Sequence, residues 1–138
     1  MSANKYGAVR TEVSGVSFDS KLEARRFGDL CILEMAGDII DLERQPRYEL
    51  LPAKEDCYGN RHRAVYYTGD FRYTIVAGGP DYGRTIVEDC KGYVQADAKL
   101  RMAMLMHQHP ELDVRIVRWD RRQGWVISGV VPKGEVGR

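Results

Sequence analysis

The segment Val87-Glu88-Asp89-Cys90-Lys91-Gly92 sets a carboxylate and an ammonium two residues apart within a β-prone stretch. Side chains alternate along a strand, so Asp89 and Lys91 project from one face and Glu88 from the other. Two charges inside a largely apolar strand carry a heavy desolvation cost unless something compensates them. A second β-rich run, Ala64 to Thr74, turns abruptly acidic at Asp70 after Thr68-Gly69. Glu23 supplies a third carboxylate, four and seven residues before Phe27 and Leu30 on one helical stripe, which aims it toward a sheet. Three carboxylates meeting at one point repel one another unless a divalent cation neutralises them, and hard oxygen donors suit Mg²⁺ or Mn²⁺.

Two of these acids have a second reading. Glu23 stands third after Ser20, where a capping-box glutamate reaches back to the helix cap. Glu88 either pairs with a basic residue on the opposite face or serves as a fourth carboxylate.

The elements that must position these groups follow from periodicity and turn chemistry. Val13 to Phe18 alternates around Gly15 as a short strand or extended lead-in. Ser20 caps a helix whose apolar positions Leu22, Phe27, Leu30, Leu33 and Met35 recur at helical spacing until Gly37. Ile39, Ile40 and Leu42 lead to Gln45-Pro46, and Tyr48, Leu50 and Leu51 suit a first strand. Lys54 to Asn60 reads as a loop, and Ala64 to Thr74 as one long strand. Gly78 to Gly83 has hairpin-turn chemistry, so the strand Arg84–Lys91 runs antiparallel to the preceding one and brings Asp89 beside Asp70. A helix spans Gln95 to Gln108, with Leu100, Ala103, Met104 and His107 on one stripe, and Pro110 stops it. Val114 to Val117 and Trp125 to Ile127 form closing strands, and the tail from Pro132 to Arg138 frays. The expected fold is α/β, a mixed central β-sheet flanked by helices in the order αβββαβ. It forms a single domain with its core at about residues 13–127.

Composition narrows the classes. With 138 residues, 43% hydrophobic and 30% charged, the chain is neither disordered nor of low complexity. No apolar run is long enough to span a membrane, and Met-Ser-Ala-Asn-Lys lacks a signal core, so a cytoplasmic location is expected. Three cysteines, Cys31, Cys57 and Cys90, are odd in number and unpaired in spacing, which fits reduced packing residues. The net charge of +1 gives no electrostatic advertisement for nucleic acid. Local basic groups nevertheless occur at Lys21, Arg25 and Arg26, at Arg61-His62-Arg63, and at Arg118, Arg121 and Arg122, each favouring a solvated face when taken alone. Cys57 with His62, or His107 with His109, lacks the paired spacing of a zinc site. Tyr66, Tyr67, Tyr73 and Tyr93 suit packing in or beside the sheet better than stacking on bases.

Glu23, Asp70 and the Asp89-Cys90-Lys91 triplet, in this order, resemble the PD-(D/E)XK nuclease superfamily over roughly Tyr6 to Val117. Lys5-Tyr6, Phe18 to Ala24, Leu42 to Pro46, Tyr67 to Phe71 and Val87 to Gly92 are similar to a group of short phage and prophage proteins with that core. The resemblance implies that Asp70 and Asp89 are metal ligands, that Glu23 completes the site and that Lys91 positions or activates the attacking water. Gly69 departs from the proline of the superfamily's name, which supplies backbone geometry rather than chemistry. The implied activity is Mg²⁺-dependent (or Mn²⁺-dependent) endonucleolytic hydrolysis of DNA, by analogy on branched or recombination intermediates in the manner of a Holliday-junction resolvase. Gln95, Lys99 and Arg26 are candidate substrate contacts. A homodimer is the expected assembly for cutting two strands, and no small-molecule cofactor or membrane partner is expected. The alternative is a catalytically inactive nuclease fold serving as a DNA-binding or assembly module in phage replication or packaging.

Overall fold

A computed structural model of the chain describes residues 11–13, 16–18, 20–91 and 94–129. Strands β1 (Thr11–Val13) and β2 (Val16–Phe18) pair antiparallel ahead of helix α1 (Lys21–Met35). Ser20 caps α1 from an extended backbone, its Oγ accepting from the Glu23 amide at 3.1 Å. Gly37, in the left-handed region at φ 81°, turns the chain out of the helix.

The remaining elements are β3 (Ile39–Arg44), β4 (Arg47–Leu51), β5 (Lys54–Glu55), β6 (Arg61–His62), β7 (Val65–Thr68), β8 (Phe71–Ile75), β9 (Thr85–Cys90), α2 (Ala96–Gln108), β10 (Leu112–Asp120) and β11 (Gly124–Gly129). A five-stranded sheet has the order β11-β10-β9-β8-β3. Its one parallel pair is β9 with β10, joined by the α2 crossover, and the others are antiparallel. The protein is thus mixed α/β, and the sheet elements follow α1 in the order three strands, helix, two strands.

The sheet has a different apolar layer on each face. Leu30, Phe71, Ile86 and Val117 pack with α1 on one side, and Val87, Val114, Met102 and Leu105 pack with α2 on the other. Leu50 and Tyr67, from the two-stranded β4–β7 sheet, complete the second layer. Strand β9 is buried from Ile86 to Cys90, as a central strand covered by a helix on each side must be.

Several expectations are corrected. The run from Ala64 to Thr74 is not one strand, because it breaks at Gly69-Asp70 into β7 and β8, which belong to different sheets. The segment Ile39 to Arg44, read as a lead-in, is the edge strand β3, and the loop from Lys54 to Asn60 contributes to the β5–β6 hairpin. On α2 the buried residues are Met102 and Leu105, whereas Leu100 is exposed. Met35 and Cys57 also face solvent. No helix among the described residues is long and apolar enough to cross a membrane. Lys5-Tyr6, Asp19, Gly92, Tyr93 and the tail from Pro132 lie outside the described residues.

Candidate metal and phosphate site

The break at Gly69-Asp70 has a partner in Gln45-Pro46, where the chain passes from β3 to β4. The Gln45 amide donates to the Asp70 carbonyl at 2.9 Å, and the Gly69 amide donates to the Pro46 carbonyl at 2.9 Å. Two segments therefore leave the main sheet together. Gln45 takes a left-handed φ of 50° at this bend, and Pro46 is fully buried beside it. Gly69 is required for space, since a Cβ there would lie 3.0 Å from Val87 Cγ1 and 3.5 Å from Pro46 Cγ.

The bend sets Asp70 against the end of β9. Its amide donates to the Glu88 carbonyl at 3.0 Å, and its Oδ2 accepts from the Cys90 amide at 2.7 Å. Asp89, on the α2 side of β9, accepts a short hydrogen bond from the Tyr67 hydroxyl. The Asp70 and Asp89 carboxyls are within hydrogen-bonding reach of each other.

Electrostatics follow from this geometry. Burial, then the charges of Asp89 and Glu23, push the Asp70 carboxyl up to about 8, against the pull of the Cys90 amide and Lys91. Burial also raises Asp89, although the Tyr67 hydroxyl, Lys91 and the hydrogen bond with Asp70 oppose it. The Tyr67 phenol is itself raised by burial and by Asp89, so it stays a donor at physiological pH. Two buried carboxyls this close repel each other when both are charged, and an all-oxygen pair of this kind fits Mg²⁺ or Mn²⁺.

Glu23 sits outside the hydrogen-bonded pair. Its charge is felt at Asp70 and Cys90, and its amide is engaged by the Ser20 cap. Among the described residues, no three His, Cys, Asp or Glu side chains gather closely enough to hold an ion by themselves. The expected trio is therefore present as a pair with a flanking charge.

Lys91 is fixed at the end of β9 by its amide, which donates to the Val117 carbonyl at 2.9 Å. Its side chain lines a cavity of about 200 Å³ with Tyr66, Tyr67, Thr68, Asp89, Ala98 and Arg101. Asp89 and Lys91 thus share a face, as strand alternation predicts, and that face opens on a pocket with two cationic side chains.

Glu88 faces the other way. Arg26 grips it with Nε to Oε1 at 2.6 Å and Nη2 to Oε2 at 3.0 Å, and the Tyr73 hydroxyl donates to it at 2.7 Å. Side-chain exposure is 6% for Arg26 and 0% for Glu88. Arg26 is accordingly committed to the interior, contrary both to the solvated face its basic cluster suggests and to its candidacy as a substrate contact. The open question about Glu88 resolves in favour of pairing.

Gln95 and Lys99 are exposed on α2 and are not among the residues lining the cavity, where Ala98 and Arg101 stand instead. Sequence reasoning missed Arg101 and the polar role of Tyr67. The alternation Tyr66-Tyr67 at the end of a strand carried the signal for Tyr67. Arg101 could have been found only with the correct buried stripe of α2.

An α/β protein with a mixed sheet and a buried aspartate pair at its bend is the class that fold and site define. A family model described as "Protein of unknown function (DUF1064)" matches residues 3–123, and the chain belongs to that family. No curated protein and no solved structure matches it.

Proposed function

We propose that the protein is a metal-dependent endodeoxyribonuclease of PD-(D/E)XK type. The observation that carries this reading is the meeting of Asp70 and Asp89, from separate segments, beside Lys91 on one face of β9. Such a pair is stable only when a proton or a cation offsets its charge, and perturbed carboxyls in a cleft are the signature of a functional site.

Asp70 and Asp89 would hold Mg²⁺ or Mn²⁺, with Glu23 adding negative charge beside them. When bound, the ion lowers the pKa of water and stabilises charge on a phosphodiester under attack. Lys91 offers an ammonium to the scissile phosphate, and Arg101 binds the neighbouring backbone across the cavity. Tyr67 keeps one Asp89 oxygen occupied and so fixes the orientation of the carboxylate. Acting on DNA, the protein would work in the cytoplasm, the host's if it is phage-encoded. A C₂ homodimer would present two such sites to a duplex or a junction.

The test is incubation of the purified chain with supercoiled, linear and four-way-junction DNA in Mg²⁺, in Mn²⁺ and in chelator. Metal-dependent products that disappear in Lys91→Ala, with folding retained, are expected. Binding without cleavage of any substrate favours the alternative, an inactive nuclease fold used as a DNA-binding or assembly module.

A further inference from the structure

The β10–β11 hairpin overhangs the end of the sheet where Asp70, Asp89 and Lys91 meet. Strands β9 and β10 run parallel with Ile116 beside Asp89 and Val117 beside Cys90, but β10 continues to Asp120. At about 3.3 Å per residue, three further residues reach roughly 10 Å past the end of β9.

This overhang is braced. Trp119 and Trp125 stand opposite each other in the register and meet edge to face at 5.1 Å between ring centroids. The Arg25 guanidinium of α1 lies 3.5 Å from the centre of the Trp119 ring, and Trp125 Nε1 donates to Asp29 of α1 at 2.6 Å. The helix that carries Glu23 therefore holds the hairpin in position.

Its tip is basic. Asp120 accepts from the backbone amides of Arg122 at 2.8 Å and Gln123 at 3.0 Å, so its carboxylate closes the turn. Arg121 and Arg122 are exposed, and among the described residues neither has an acidic side chain within ion-pair distance. Arg118 follows Val117, the β10 partner of Cys90, and lies on the face where Ile116 packs with α2. Arg118 lies 3.8 Å from the Asp120 carboxylate, so the uncompensated positive charge of the hairpin is at the turn, on Arg121 and Arg122.

We propose that this hairpin is a phosphate-gripping arm for duplex DNA, in which Arg121 and Arg122 bind the backbone flanking the bond presented to Lys91. Phosphates recur every 3.4 Å of duplex axis on each strand, so an overhang of roughly 10 Å spans about three of them. A braced ribbon with an ordered turn suits a stiff duplex. The partner rests on the nuclease reading, but the two fail separately in the experiment below.

Binding of the full chain to a labelled duplex of about 20 bp is followed by fluorescence anisotropy in chelator over about 50–200 mM salt. Arg121→Ala with Arg122→Ala is expected to make the slope of log K against log salt shallower by about 1.8. The same pair weakens binding by about 10- to 30-fold near physiological salt. Arg121→Lys with Arg122→Lys restores the slope, because backbone phosphates accept a point charge. Arg84→Ala, at the opposite end of β9 where Arg84 pairs with Asp81, leaves it unchanged. An unchanged slope in the double alanine variant, an equal change in Arg84→Ala, or no duplex binding by the wild-type chain overturns the arm. An equal slope change on a single strand of the same sequence overturns the duplex assignment. DNA cleavage with an unaltered slope sinks the arm and keeps the nuclease, whereas an altered slope without cleavage under Mg²⁺ or Mn²⁺ does the reverse.

Discussion

Glu88 and Asp89 are consecutive, equally buried carboxylates on one strand, yet their surroundings are opposite. On the α1 face Glu88 receives two hydrogen bonds from Arg26 and one from Tyr73. On the α2 face Asp89 receives one from Tyr67 and meets a second carboxyl, Asp70. The first environment supplies a full counter-charge, and the second leaves a deficit of positive charge at the wall of a cavity. A buried acid with its own guanidinium is structural. One that meets another acid has no such counter-charge, and this lack supports the proposed cation site.

Neighbouring substitutions sharpen this contrast most. Asp89→Asn is expected to keep the fold and to lower metal-dependent cleavage on the order of 10²–10³-fold, about 3–4 kcal/mol in the barrier, read in single-turnover assays. Glu88→Gln is expected to do the opposite kind of damage. It leaves Arg26 buried without its counter-charge and costs about 3–5 kcal/mol of stability, read from urea midpoints. Loss of cleavage in both variants with stability intact would break the distinction.

A smaller effect concerns pH. Asp70 titrates near 8 in the folded chain and near 3.9 when unfolded. A pKa raised by folding adds stability that is full below the unfolded value and is lost as pH rises through the folded one. The metal-free protein should therefore lose stability between about pH 4 and pH 8, on the order of a few kcal/mol. Mg²⁺ should restore it, and Asp70→Asn should flatten the profile while abolishing cleavage. A urea midpoint that rises with pH in the wild type contradicts a raised Asp70 carboxyl. The smallest change expected is Gly69→Ala. Its new methyl meets Val87 Cγ1 at 3.0 Å and costs about 1–3 kcal/mol, with the bend around Asp70 disturbed.

Much of this contrast was legible from local pattern. Alternation assigned Glu88 to one face and Asp89 with Lys91 to the other, and the glycine-rich turn made β8 and β9 antiparallel. Ser20 read as a cap, and its Oγ does accept from the Glu23 amide. Arg26 misled because charge in a helix ordinarily means solvent, whereas here the helix turns it onto a buried glutamate. The α2 stripe misled because Leu100, Ala103 and Met104 match helical spacing as well as Ala98, Met102 and Leu105 do. Only contact with β4, β7 and β10 selects between them.

By itself the amino-acid sequence determined which groups share a strand face, where α1 begins and which charges need compensation, since these depend on backbone period and side-chain type. Tertiary structure alone decided that Ala64 to Thr74 splits between two sheets. The bend requires Gln45-Pro46 and Gly69-Asp70, more than twenty residues apart, to bond each other's backbones and to pack against Val87. It also decided that Arg26 neutralises Glu88 rather than Asp89. No local pattern carries that choice, because it depends on which face of the sheet the helix covers.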